Sequence, residues 1–169
     1  QRLTPCTPRH QRFIQGVRMG KLGTAFGVFD GHGGVLAAEY ATKHLTNNVL
    51  RMHQQQKGGG SRNRDAVDAR RTMHALQEAF DVTDRELLQL ARRKNFSDGT
   101  TALLLLFAGT ELAPDFDGDP AAAETAPTLF TAHVGDCRAV LCRGCAAVRL
   151  TNDHRPDRKD EQRRIREAG

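Results

Sequence analysis

The 169-residue chain is 38% apolar and 27% charged, with a formal charge of +5. That balance reads as one soluble globular domain, or part of one, and excludes a disordered polyelectrolyte. The longest apolar run, Ala102–Ala108, is far short of the ~20 residues that cross a bilayer, so no membrane partner is expected. One Tyr and no Trp leave little stacking surface for single-stranded nucleic acid, and none is expected as a partner.

Taken in chain order, residues 13–19 and 24–29 read as two strands around a Gly-Lys-Leu-Gly turn, forming a hairpin. Ala38, Ala41, Leu45, Val49 and Met52 then recur at helical spacing, which predicts an amphipathic helix over 35–54. Residues 54–64 lack apolar side chains, hold three consecutive glycines, and read as a flexible loop. A second helix is predicted over 65–94, with Met73, Leu76, Phe80, Leu87 and Ala91 on one face. Arg92, Arg93 and Lys94 at its C-terminus suit the helix dipole. Residues 101–107 read as a buried strand, and 111–127, rich in Pro, Asp and Ala, as a variable excursion between strands. Strands at 128–134, 139–141 and 146–150 complete a meander, and 157–168 form a charged helix with internal ion pairs. The order β-β-α-α-β-β-β-β predicts an α/β domain of antiparallel sheets with helices on an outer face.

Four short stretches carry chemistry. Phe26 to Phe29 lead into Asp30-Gly31-His32-Gly33-Gly34. A carboxylate at the end of a buried strand is held rigidly, and glycines after it let carbonyl oxygens turn toward the same point. Oxygen donors of that kind suit Mg²⁺ or Mn²⁺. His32 can donate or accept a proton nearby. A plain strand-to-helix turn capped by Asp30 is the competing interpretation. Gly135-Asp136 repeats the pattern, with a simple hairpin turn as its competitor. Asp98-Gly99-Thr100-Thr101-Ala102 reads on its own as a turn, and Thr151-Asn152-Asp153-His154-Arg155-Pro156 leads toward Glu161, Arg164 and Ile165.

In that order, these stretches resemble the metal-dependent protein phosphatases, the PPM or type 2C family. The family's strand ends in Asp-Gly-His-Gly-Gly, as at Asp30 to Gly34. Its Gly-Ser/Thr-Thr-Ala matches Gly99 to Ala102, its Gly-Asp-Ser-Arg-Ala matches Gly135 to Ala139, and its Thr-x-Asp-His-x-Pro matches Thr151 to Pro156. The resemblance implies a four-layer α-β-β-α sandwich of two antiparallel sheets flanked by helices, incomplete here at the C-terminus. It implies hydrolysis of phosphoserine and phosphothreonine in protein substrates by water activated between two Mg²⁺ or Mn²⁺ ions. Asp30 would bridge both ions, the Gly31 carbonyl would bind one, and Asp136 would serve an additional metal. His32 would protonate the leaving oxygen. A monomer is expected.

The chain also departs from the family. Residues 1–29 contain no Asp or Glu, whereas the family supplies an acidic pair upstream of its Asp-Gly-His motif. Setting His10-Gln11-Arg12-Phe13 over that segment puts Arg12 where an acid belongs. The alternative sets Arg2 over the family's phosphate arginine and Cys6-Thr7 over the acids. Arg2, Arg9 and Arg18 all stay open as phosphate contacts. Two further metal-binding aspartates of the family lie beyond its Ala-Gly point, where this chain stops at Gly169. With Gln1 reading as a cut end, 1–169 is expected to be a partial phosphatase domain unable to assemble the binuclear centre alone. The alternative is a catalytically dead, phosphatase-like protein-binding module. Cys6, Cys137, Cys142 and Cys145 are too few for a disulfide scaffold and imply a cytoplasmic or nuclear setting. Cys142 and Cys145 have knuckle spacing without two further ligands, so no zinc is expected. Asp115, Asp117 and Asp119 lack the glycine and glutamate of a calcium loop.

Overall fold

A computed structural model describes residues 10–56, 68–109 and 128–169. Within it the elements are β1 (His10–Arg18), β2 (Gly23–His32), α1 (Leu36–Gln55), α2 (Ala69–Lys94), β3 (Gly99–Thr100), β4 (Ala102–Ala108), β5 (Thr128–Val134), β6 (Val140–Arg143), β7 (Ala146–Arg149) and α3 (Lys159–Ala168). A five-stranded antiparallel sheet runs β1-β2-β4-β5, with the short β3 added against the end of β2. Strands β6 and β7 form a separate hairpin sheet. The α/β class and the two antiparallel sheets are as expected. The expected loop and excursion fall mainly on residues 57–67 and 110–127, which lie outside the described residues.

Helices α1 and α2 pack on each other and over one face of the larger sheet. Alternation decides which side chains meet them. Ala25 and Phe29 of β2 point inward and are buried with Leu104 and Leu106 of β4, against Leu45, Val49, Ala75, Leu76 and Ala79. The alternate set, with Phe26 and Val28 of β2 and Phe13 of β1, faces away from the helices and is exposed. Beside this apolar contact a polar seam also joins the two helices. Asn48 donates to Thr83 Oγ1 at 2.9 Å and to Glu86 at 3.1 Å, and Arg51 donates to Glu86 at 2.9 Å.

The boundaries differ from the sequence reading for local reasons. Strand β1 starts three residues before Phe13, because His10, Gln11 and Arg12 pair with Gly31, Asp30 and Phe29. Its ladder shifts register between Ile14 and Val17 at a bulge, where Gly16 adopts φ +63°. The turn into β2 requires Gly23, since a Cβ there would lie 1.9 Å from the Phe107 carbonyl oxygen. Helix α2 starts at Ala69 because Asp68 caps it, accepting from the Arg71 N–H at 3.1 Å. It ends at Lys94, where Asn95 turns left-handed at φ 54°. Helix α3 carries one of its expected ion pairs, Glu161 with Arg164 at 2.8 Å.

Candidate active site

Asp30, Gly31 and His32 belong to β2 itself rather than to a turn beyond it. The competing interpretation of Asp30 as a helix cap is not met, since the N-cap of α1 is Val35. Asp30 is locked by its main chain: its N–H donates to Thr101 Oγ1 at 3.3 Å and its carbonyl accepts from the Thr101 N–H at 3.0 Å. Gly31 pairs with Thr100 and His32 with Gly99. A Cβ at position 99 would sit 2.3 Å from His32 Nε2, so any larger residue there would push the imidazole aside. The imidazole therefore lies directly against the Gly99 backbone. By strand alternation Asp30 shares the face of Phe26 and Val28, the side turned away from the helix layer, and is half-buried. A cavity of about 360 Å³ adjoins His32 and is lined by Leu45, Phe80, Leu87, Asp98 and Thr100, among others.

Thr101 also joins the second carboxylate-bearing turn to the first. Gly135, at φ +86°, approaches so closely that a Cβ would lie 2.8 Å from Thr101 Cγ2. Asp136 follows and is exposed. Cys137 donates from Sγ to the Val134 carbonyl at 3.3 Å, and burial raises its thiol above the ordinary range.

The Thr151-to-His154 segment holds that turn from behind. Thr151 Oγ1 accepts from the Ala139 N–H at 2.9 Å and donates to the Cys137 carbonyl at 3.2 Å, while the His154 N–H donates to the Gly135 carbonyl at 2.9 Å. Asp153 is only 8% exposed and receives two guanidiniums, Arg138 at 2.6 Å and Arg149 at 2.7 Å. The Arg138 hydrogen bond above all holds the Asp153 pKa down at about 2. Behind it, the rings of His133 and His154 stack with centroids 4.5 Å apart. Burial first, then the charge of His154, lowers the His133 pKa.

Beside Asp30, the register places Gln11 directly opposite and Arg12 one position along, opposite Phe29. Neither is an acid, so this stretch of β1 brings no carboxylate to Asp30. The Arg12 side chain instead donates to Glu39 of α1 at 2.8 Å, which lowers the Glu39 pKa. Arg18 pairs with Thr24, six positions and about 20 Å along the strand from Asp30. It is therefore at the wrong end to meet a phosphate held there. Arg2, Arg9 and Cys6 lie outside the described residues. Cys142 and Cys145 are exposed free thiols on the β6–β7 hairpin.

Asp30 and the Gly31 carbonyl are hard oxygen donors on a fixed strand end, the type Mg²⁺ and Mn²⁺ take. Among the described residues, however, no three His, Cys, Asp or Glu side chains gather as a cation site, so Asp30, His32 and Asp136 do not by themselves complete one. Two residues escaped the sequence reading. Asp98 sits in a stretch read as a bare turn, yet its carboxylate accepts from the Leu36 N–H at 2.8 Å. Asp153 belongs to the Thr151-to-Pro156 motif, whose pattern does not announce its role as the anchor of two arginines. Charge-bearing residues in otherwise ordinary turns were the available signal.

Comparison with known proteins agrees with this layout. A model of the protein phosphatase 2C family matches residues 17–169. The chain is 35% identical over 156 residues to probable protein phosphatase 2C 59 of Arabidopsis thaliana, covering 92% of this chain and 40% of that protein. It is 36% identical over 145 residues to probable protein phosphatase 2C 56 of Oryza sativa subsp. japonica, covering 85% of this chain and 33% of that one. The chain thus spans less than half the length of these relatives. Among solved structures, a serine-threonine phosphatase 2C from Toxoplasma gondii aligns with a TM-score of 0.68 at 19% identity, over 97% of this chain and 51% of that one. A C. elegans sex determining protein aligns with a TM-score of 0.63 at 20% identity, over 94% and 37%. With a family match that runs from Val17 to the last residue and includes both carboxylate-bearing turns, the chain belongs to the protein phosphatase 2C family.

Proposed function

We propose that this chain is part of a metal-dependent protein serine/threonine phosphatase, and that the end of β2 is its share of the catalytic centre. The observation that carries the reading is the double lock of Asp30 on Thr101, which fixes a carboxylate and the neighbouring Gly31 carbonyl at one strand end. Two Mg²⁺ or Mn²⁺ ions, when bound, would supply a water acidic enough to act as nucleophile near neutral pH. Asp30 would be the shared donor and the Gly31 carbonyl a second. His32, pressed on Gly99, would deliver a proton to the leaving serine or threonine oxygen. Asp136 would serve an additional ion. Paired divalent cations repel strongly and need several anionic ligands. The remaining acids of such a centre would therefore come from the portion of the domain that the longer relatives have beyond this chain.

A second reading rests on one observation: Gln11, not an acid, faces Asp30 across the β1–β2 ladder. A phosphatase-like module that binds phosphoproteins without hydrolysing them would tolerate that exchange. Calorimetric Mn²⁺ titration and turnover of p-nitrophenyl phosphate, on this chain and on one extended to the family's full domain, separate the two. The enzyme reading expects the extended chain to bind Mn²⁺ and turn over, with both lost in Asp30→Ala. Binding and turnover absent from the extended chain would overturn it in favour of the binding module.

A further inference from the structure

The phosphatase reading requires Gly31 and His32 to be held still, and resting on that reading we propose that Asp98 is the positioning residue that holds them. The first N–H groups of a helix have no partner within it, and a side chain at the N-cap ordinarily accepts from one of them. Helix α1 has Val35 at that place, with no side-chain cap. The acceptor comes instead from 62 residues away, as Asp98 Oδ2 meets the Leu36 N–H at 2.8 Å. A carboxylate there also suits the positive end of the helix dipole.

The approach depends on the glycines. A Cβ at Gly34 would lie 2.2 Å from Asp98 Oδ2 and 2.4 Å from its Cγ, so any larger residue there would push the carboxylate away from Leu36. Gly33, at φ +74°, lies over Ser97 and Asp98, with a Cβ position 3.5 Å from the Ser97 carbonyl oxygen. The next two residues, Gly99 and Thr100, pair with His32 and Gly31. Four consecutive residues therefore grip the turn on both sides: β3 holds the strand before it, and Asp98 holds the helix after it. Asp98 acts through the Gly31-to-Leu36 turn and through the seat of the His32 ring on Gly99.

The test compares Asp98→Ala, Asp98→Asn and Asp98→Glu in the chain extended to the family's full domain, reading amide hydrogen exchange by NMR and the broadening of the Asp30 and Gly31 amides by Mn²⁺. Loss of a cap is expected to speed exchange at Leu36 and His32 about fivefold in Asp98→Ala. The Asn variant keeps an oxygen acceptor and restores protection, whereas Glu, one methylene longer against Gly34, does not. Gly34→Ala alone should loosen the turn, and added to Asp98→Ala it should cost little, because the methyl then has room. Unchanged exchange at Leu36 and His32 in Asp98→Ala overturns the proposal. So does an equal rise at Leu104 and Leu106 in β4, which would mark general destabilisation. The Mn²⁺ arm separates the two ideas. If the wild-type Asp30 and Gly31 amides of the extended chain do not broaden while Asp98→Ala loosens the turn, the positioning role stands and the metal-centre reading fails. If they broaden equally in wild type and Asp98→Ala with no change in exchange, the positioning role fails and the centre stands.

Discussion

Thr101 closes both main-chain hydrogen bonds of Asp30, accepting its N–H at Oγ1 and donating its own N–H to the Asp30 carbonyl. Replacing the hydroxyl by a methyl of similar shape leaves the Asp30 N–H without a partner. Thr101→Val should therefore lose roughly 1–3 kcal/mol in urea unfolding, the cost of an orphaned polar group in a packed site. Thr101→Ser, which keeps the oxygen, should recover most of it.

Gln11 stands opposite Asp30, a separation at which facing side chains on antiparallel strands interact. Gln11→Glu puts a second carboxylate there. In EDTA the like charges should lower the melting temperature, and added Mn²⁺ should raise it above that of the wild type under the same conditions. A melting temperature indifferent to Mn²⁺ would show that this strand end does not collect cations.

Asp153 has a folded pKa of about 2 against an ordinary value of 3.8. Its folded pKa is depressed, so the unfolded chain binds more protons between those values. The contribution of this carboxylate is complete above about pH 4 and disappears as pH falls toward 2. Acid titration followed by circular dichroism should show this loss, and Asp153→Asn should flatten that part of the profile.

His133 is displaced the other way relative to its charge. Burial and the facing His154 lower its pKa below 6.5, with Asp153 opposing the shift and Arg158 adding to it. The folded form resists protonation, so stability is full above pH 6.5 and falls as pH drops below it. In NMR titration the His133 ring should titrate below the ordinary histidine value. His154→Ala should move that midpoint upward by removing the repelling neighbour.

Much of the scaffold could be read from periodicity alone. Ala38, Ala41, Leu45, Val49 and Met52 recur at helical spacing, and all five are buried. The apolar run at 102–108 is likewise a strand with Leu104 and Leu106 in the core. The start of β1 was missed because His10, Gln11 and Arg12 give no apolar alternation. Pairing with the end of β2, not hydrophobicity, makes them a strand. The Asp98–Leu36 bond was invisible for a different reason: no local pattern announces a helix capped from another element. At the site, the glycines at 34, 99 and 135 were legible as permissive positions. What each one makes room for, respectively Asp98, His32 and Thr101, is a matter of tertiary approach.

Asp30 and Thr101 are 71 positions apart, with both long helices between them. Contacts of such separation form late in folding, since the chain must close a large loop before they reward it. The pairing of β2 with β3 and β4, to which this bond belongs, thus has to close a longer loop than the β1–β2 hairpin or the β4–β5 pair. Closure entropy grows only logarithmically, so doubling the intervening span adds about 0.6 kcal/mol. Insertions between α1 and α2 should therefore register as slower folding with the same finished geometry. Selection is free to lengthen or shorten that connection while the short stretches at 30–36 and 97–101 stay fixed by their contact with each other.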